Sequence, residues 1–151
     1  MHRLIVRATG LPRLLLALLT VAVLAGCATS GTTYADLQQK LGPPAAGQGR
    51  IFIYRTAVIG MAVQPSVKLN DVVVGSAVPL GFMYVDRPAG DYTISAATEV
   101  TRTLSLTLAP GQIRYVRLGI SFGFFVGHVY PELVDSTEGA ADIANCHLVG
   151  S

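Results

Sequence analysis

The sequence predicts a mainly β protein, a small antiparallel β-sandwich of seven or eight short strands with a short C-terminal helix. Three observations point there. Short β-branched and aromatic runs such as Ile51-Phe52-Ile53-Tyr54 recur along the chain. Turn residues separate these runs at about eight to twelve positions, the spacing of a sandwich. Leu104, Leu106 and Leu108 alternate with Ser105 and Thr107, the period of two that marks a strand buried on one face.

Taken in order, the chain opens with Arg3, Arg7 and Arg13 and has no acidic residue before Asp36. Leu14 to Leu24 follows, built of Leu, Ala and Val with Thr20 as its one polar member. A basic stretch and an apolar run of this length suit a secretory signal and fall short of a bilayer core of roughly 30 Å. The run ends in Leu24-Ala25-Gly26-Cys27, which resembles the lipobox of bacterial lipoproteins. That resemblance implies a lipid on the sulfur of Cys27 and removal of residues 1–26 as a signal peptide. It makes the membrane a partner through that lipid. Ala28, where an Asp would retain such a protein at the inner membrane, implies the outer membrane of a two-membrane bacterium, with the domain facing the periplasm.

Removing residues 1–26 changes the charge. They hold three of the eleven basic residues and none of the nine acidic ones, so the net charge falls from +2 to −1 with His neutral. Nucleic acid is a poor partner for such a chain, because phosphate binding needs clustered Lys and Arg. With Cys27 lipidated, Cys146 stands alone and no internal disulfide forms. Its apolar and neutral neighbours point to burial.

Residues 27–49 read as the lipidated N-terminus and a flexible tether, rich in small polar residues and in Gly42-Pro43-Pro44-Ala45-Ala46-Gly47, with one or two helical turns over Tyr34 to Leu41. The β domain is expected over 50–151. Ile51 to Arg55 makes a core strand, Val67 to Leu69 and Val72 to Val78 a hairpin about Asn70-Asp71, and Phe82 to Val85 a fourth strand. Arg87-Pro88-Ala89-Gly90-Asp91 turns into Tyr92 to Val100, which is followed by Thr103 to Leu108. Ala109-Pro110-Gly111-Gln112 turns the chain again into Ile113 to Ile120, and Val129 to Val134 is the last strand. Asp135, three residues before Glu138, caps a helix running to about Asn145.

Three segments carry a wider resemblance: Arg50 to Arg55, Val67 to Gly75, and Arg87 to Tyr92, with Ala109 to Tyr115 as a later turn. They resemble a bacterial lipoprotein domain family of unknown function and are similar to PEGA-type surface modules. The resemblance implies a β-sandwich and brings no catalytic residue. PEGA-type similarity implies carbohydrate or peptidoglycan as a possible ligand class.

For catalysis, His128, Cys146 and His147 are the candidate nucleophile and bases, and no Gly-x-Ser-x-Gly elbow is present. Cys146 and His147 are adjacent, so on a strand they face apart. His128 and Glu132 could share a strand face as metal ligands, with Pro131 between them breaking the regularity and Cys146 or His147 joining from the C-terminus. Phe122 to Gly127 reads first as core packing and second as a docking loop. Arg55, Arg87, Arg102, Arg114 and Arg117 could form an anion- or sugar-binding face, though scattered charge is ordinarily solvated surface. The expectation is a non-enzymatic, lipid-anchored envelope protein with a binding or structural role, needing no cofactor or metal, with an envelope protein or peptidoglycan as partner. The rivals are a carbohydrate-binding module and a weak hydrolase or thiol protein at Cys146 and His147.

Overall fold

The structure, a computed structural model, describes residues 31–122, 124 and 127–149. The expected signal peptide 1–26, Cys27 and the first residues of the tether lie outside the described residues. Two sheets face each other. One holds β1 (Gln48–Arg55), β4 (Gly81–Pro88), β7 (Ile113–Ser121), β8 (His128–Val134) and β9 (His147–Leu148) in the order β8-β7-β1-β4-β9. The other holds β2 (Ser66–Leu69), β3 (Val72–Ser76), β5 (Gly90–Ala97) and β6 (Thr101–Leu108) in the order β3-β2-β5-β6. Among the described residues two helices join them: α1 (Tyr34–Lys40) and α2 (Ser136–Ile143).

The mainly β class and the C-terminal helix are as the sequence predicts. Among the described residues the strands number nine, and the first sheet is mixed, because β1 pairs in parallel with β7 and β4 with β9. Every pairing in the second sheet is antiparallel. Asn70 and Asp71 form the β2–β3 turn with φ of 46° and 67°, a conformation these two residue types tolerate. The two Pro-Gly turns fall where the sequence places them. Pro88 to Gly90 and Ala109 to Gln112 carry the chain from one sheet to the other.

β1 is the central strand, and its burial explains the unbroken apolar run. Ile51 and Ile53 enter the core between the sheets with Val67, Leu69, Ile94, Leu106, Leu108 and Val116. Phe52 and Tyr54 point the other way, into a second cluster with Tyr34, Leu37, Phe82, Tyr115, Ile143 and Cys146. Tyr34 meets Phe52 edge to face at 5.3 Å, and Phe52 stacks on Tyr115 at 5.4 Å. The helices provide that second layer. Thr33 caps α1 by accepting the Asp36 N–H, and Asp135 caps α2 by accepting from Thr137 and Glu138, as its spacing foretold. A Cβ on Gly139 would stand 2.4 Å from Tyr115, so glycine is what lets α2 lie so close to β7.

The expected tether is therefore corrected. The compact unit begins at Gly31 rather than Arg50, and Tyr34 and Leu37 are buried. Beyond Leu41 the chain stays tied in, with the Gly42 carbonyl accepting from Arg50 and the Gly47 carbonyl from the Ala89 N–H. A chain beginning at Gly47 loses two buried side chains worth about 1.5–3 kcal/mol each. It should melt roughly 10 °C or more below one beginning at Ala28, or aggregate. Equal melting temperatures by circular dichroism would mean that α1 adds nothing to the fold.

Candidate functional site

The arginines expected to share a face do not. Arg55, the last residue of β1, is fully buried between the sheets. Its guanidinium has five N–H donors, and each meets a backbone carbonyl. Nε donates to Ala57, Nη1 to Val63 and Ala77, and Nη2 to Ile59 and Gly60, over 2.6–3.0 Å. Burial lowers its pKa from the ordinary arginine value. Four of the five acceptors belong to the loop that follows β1, so the charge folds that loop around itself. With those carbonyls turned inward, the loop's side chains Ile59 and Met61 face solvent at 64% and 60% exposure.

The other arginines lie apart from it and from one another. Arg117, on the helix-covered face, donates to Glu138 at 2.6 Å and to Glu132 and Asp142 at 3.1 Å each. These bonds, Glu138 first, raise its pKa. Arg50 makes a two-pronged pair with Asp86, its cross-strand partner, at 2.6 and 2.7 Å. Arg87 donates to the Asp86 carbonyl, Arg102 is exposed on β6, and Arg114 Nε is buried without a hydrogen-bond partner.

The nucleophile and base candidates are also kept apart. Cys146 is free and fully buried, its Sγ 3.8 Å from the Arg55 carbonyl, and burial pushes its thiol up to about 11. His147 Nδ1 instead lies 3.3 Å from the Gly31 carbonyl. β8 stays regular through Pro131, which an edge strand accommodates, so His128 and Glu132 do share a face. Yet His128 Nε2 contacts Glu99 at 3.0 Å while Glu132 is held by Arg117. Among the described residues no group of three or more His, Cys, Asp or Glu side chains is placed to hold a metal.

Clefts exist on both outer faces. One of about 400 Å³ opens between α1 and β1, lined by Tyr34, Gln38, Gly42, Arg50 and Phe52 among others. Its polar atoms are bound to one another, Gln38 to the Tyr34 hydroxyl and Tyr34 to that of Tyr115. Two shallow clefts of about 450 and 350 Å³ lie on the hydroxyl-rich face of the second sheet, over Ser66, Thr93, Ser95 and Thr101.

The feature that stands out is the end of the first sheet where β1 and β7 both finish. Ile59 and Gly60 meet Ile120, Ser121, Phe122 and Gly127 around an apolar groove of about 230 Å³. Phe122 is 92% exposed and Phe124 89%. Core packing, the first expectation for this segment, is thus wrong for both rings, because the segment joins the β7–β8 hairpin beyond the end of the sandwich. Sequence reading missed Val58, Ile59 and Met61. The signal was there: no Asp, Glu, Lys or Arg occurs over 56–67 or over 118–131.

Arg55→Lys leaves at most three donors for five carbonyls. At about 1–3 kcal/mol for each buried group left unpaired, the variant should lose roughly 2–6 kcal/mol in denaturant unfolding. A loss under 1 kcal/mol would show that the clamp is dispensable. Cys146 should resist a thiol reagent in folded protein at neutral pH and react on unfolding. Its folded pKa lies above the ordinary value of 9.0, and burial raises Tyr34 and Tyr54 as well. Unfolded chains therefore release these protons first. Stability should hold up to about pH 9 and fall as pH rises toward 11, with Cys146→Ala flattening part of the decline.

Residues 45–129 match the family model described as "Protein of unknown function (DUF2846)". An uncharacterized protein of Haemophilus influenzae (strain ATCC 51907 / DSM 11121 / KW20 / Rd) is 27% identical over 133 residues, which cover 85% of this chain and 79% of that one. No solved structure matches the chain.

Proposed function

Because the chain belongs to DUF2846, a family of proteins of unknown function, its role has to be argued from its own residues, and we propose that it is a lipid-anchored cell-envelope protein with a binding or structural role rather than an enzyme. One observation carries this reading: the Leu24-Ala25-Gly26-Cys27 series at the end of a basic and then apolar N-terminus. In this reading Cys27 carries the lipid, two or three acyl chains hold the protein stably, and Ala28 directs it to the outer membrane with the domain in the periplasm. Among the described residues no helix is long and apolar enough to cross a membrane.

Against an enzyme centred on Cys146 stands its environment. A nucleophilic thiol needs a lowered pKa and a base within reach. Here burial raises the pKa, and the neighbouring histidine is turned to Gly31. A second reading, a carbohydrate- or peptidoglycan-binding module of the PEGA type, is favoured by the hydroxyl-rich face of the second sheet. Those clefts have no aromatic lining on which a sugar ring would stack, which ranks this reading below the first.

Replacing Cys27 by Ala should abolish acyl labelling and either release the protein from the membrane fraction or leave it as uncleaved precursor. A variant that still takes up label and still fractionates with membranes would refute the anchor.

A further inference from the structure

We propose that the apolar end of the first sheet rests on the bilayer, with Ile59, Met61, Phe122 and Phe124 dipping into the boundary between headgroups and acyl chains. The proposal depends on the lipid-anchor reading above and adds to it an orientation and a second attachment.

The length of the linker is the first argument. Cys27 precedes Gly31 by four residues, which span at most about 14 Å. The fold starts at Gly31, so a lipid on Cys27 holds the body of the domain against the membrane and some face must meet it. Gly31 lies beside His147 and Leu148, whose pairing partners are Gly81 and Phe82. Gly81 is in turn opposite Arg55, where the first apolar loop begins. The linker and the loops therefore share one end of the sheet. They are offset sideways by three to four strand spacings, roughly 14–19 Å, which leaves both able to touch one plane.

Chemistry is the second argument. The two loops carry no Asp, Glu, Lys or Arg over 56–67 or 118–131, so their insertion takes no ionised side chain out of water. Exposed loop backbone is the usual obstacle at a lipid surface, since a carbonyl there finds no donor. In the first loop the carbonyls of Ala57, Ile59, Gly60 and Val63 are already taken by Arg55. The guanidinium thus does two things at once: it shapes the loop and removes its demand for water. At the rim, Glu99 of the β5–β6 hairpin is held by His128, on the polar side where headgroups lie.

The test uses the full acylated protein reconstituted into vesicles of phosphatidylethanolamine and phosphatidylglycerol. Nitroxide labels are placed singly by Phe122→Cys, Phe124→Cys and Ala109→Cys. Ala109 is exposed at the opposite end of the domain, and the buried Cys146 stays unlabelled. The expected result is that labels at 122 and 124 collide more with oxygen than with a water-soluble nickel chelate, and that the order reverses at 109. Water exposure at 122 and 124 equal to that at 109 overturns the proposal. So does immobilisation of those labels without gain in depth, which would mark a protein partner or a second copy. Mass spectrometry of the same sample reads Cys27 separately. Absence of acyl mass there overturns the anchor itself, whereas acylated protein with dry loops at neither position overturns only the docking.

Discussion

The constraint on which the fold depends is that β1 must be covered on both faces. Its residues alternate in direction, yet Ile51, Phe52, Ile53 and Tyr54 are all buried. A two-sheet sandwich covers only the side of Ile51 and Ile53. The side of Phe52 and Tyr54 would be an apolar stripe in solvent, a surface that small monomers avoid. α1 and α2, with Cys146 just beyond α2, close it, and they arrive from opposite sides of the strand in the chain. Tyr34 comes from before the strand, while Ile143 and Cys146 come from nearly a hundred residues after it. A segment with few apolar residues of its own can thus be essential to the core.

Arg55 extends this logic to the end of the strand. Its place in the alternation points it between the sheets, where an unpaired charge would be very costly. It is met by neutral carbonyls alone, matched one to one with its donors. Since the acceptors are backbone atoms, their side chains are left unconstrained by the clamp and can be chosen for another purpose. Arg50 solves the same problem differently, through the carboxylate of Asp86 across the strand pair and the ring of Tyr84 at 5.4 Å. Two arginines five residues apart on one strand thus serve opposite layers of the fold.

What the sequence made legible was local. The alternation in β6, the Asn70-Asp71 turn and the Asp135 cap are decided by neighbours in the chain, and each is found where it was expected. What stayed hidden depends on distant partners. β9 is two residues long and exists only because Gly81 and Phe82 offer an open edge. The parallel pairing of β1 with β7 has no local signature, and neither does the burial of Tyr34 and Leu37, spaced as they would be on any surface helix. Arg55 looks like a surface cation in sequence, because nothing local tells that five carbonyls await it. At the apolar end, hydrophobicity argued for core packing of Phe122. The position of the hairpin beyond the last core layer overrode it.

The short linker also changes what kind of anchor the lipid would be. A long flexible tether would let the domain sample many orientations, and a few apolar side chains on its surface would seldom meet the bilayer. A linker of four residues would raise the effective concentration of the loops at the surface into the millimolar range typical of short connections. Weak insertion would then be enough, because a lipid on Cys27 would already have removed the cost of bringing the partners together. The two attachments are unequal in kind. In the proposed arrangement the acyl chains would set residence on the membrane, while the loops would set which face of the domain points toward it. In that arrangement the turn at Ala109, at the opposite end of the domain, would point away from the anchoring surface, where an envelope partner would approach.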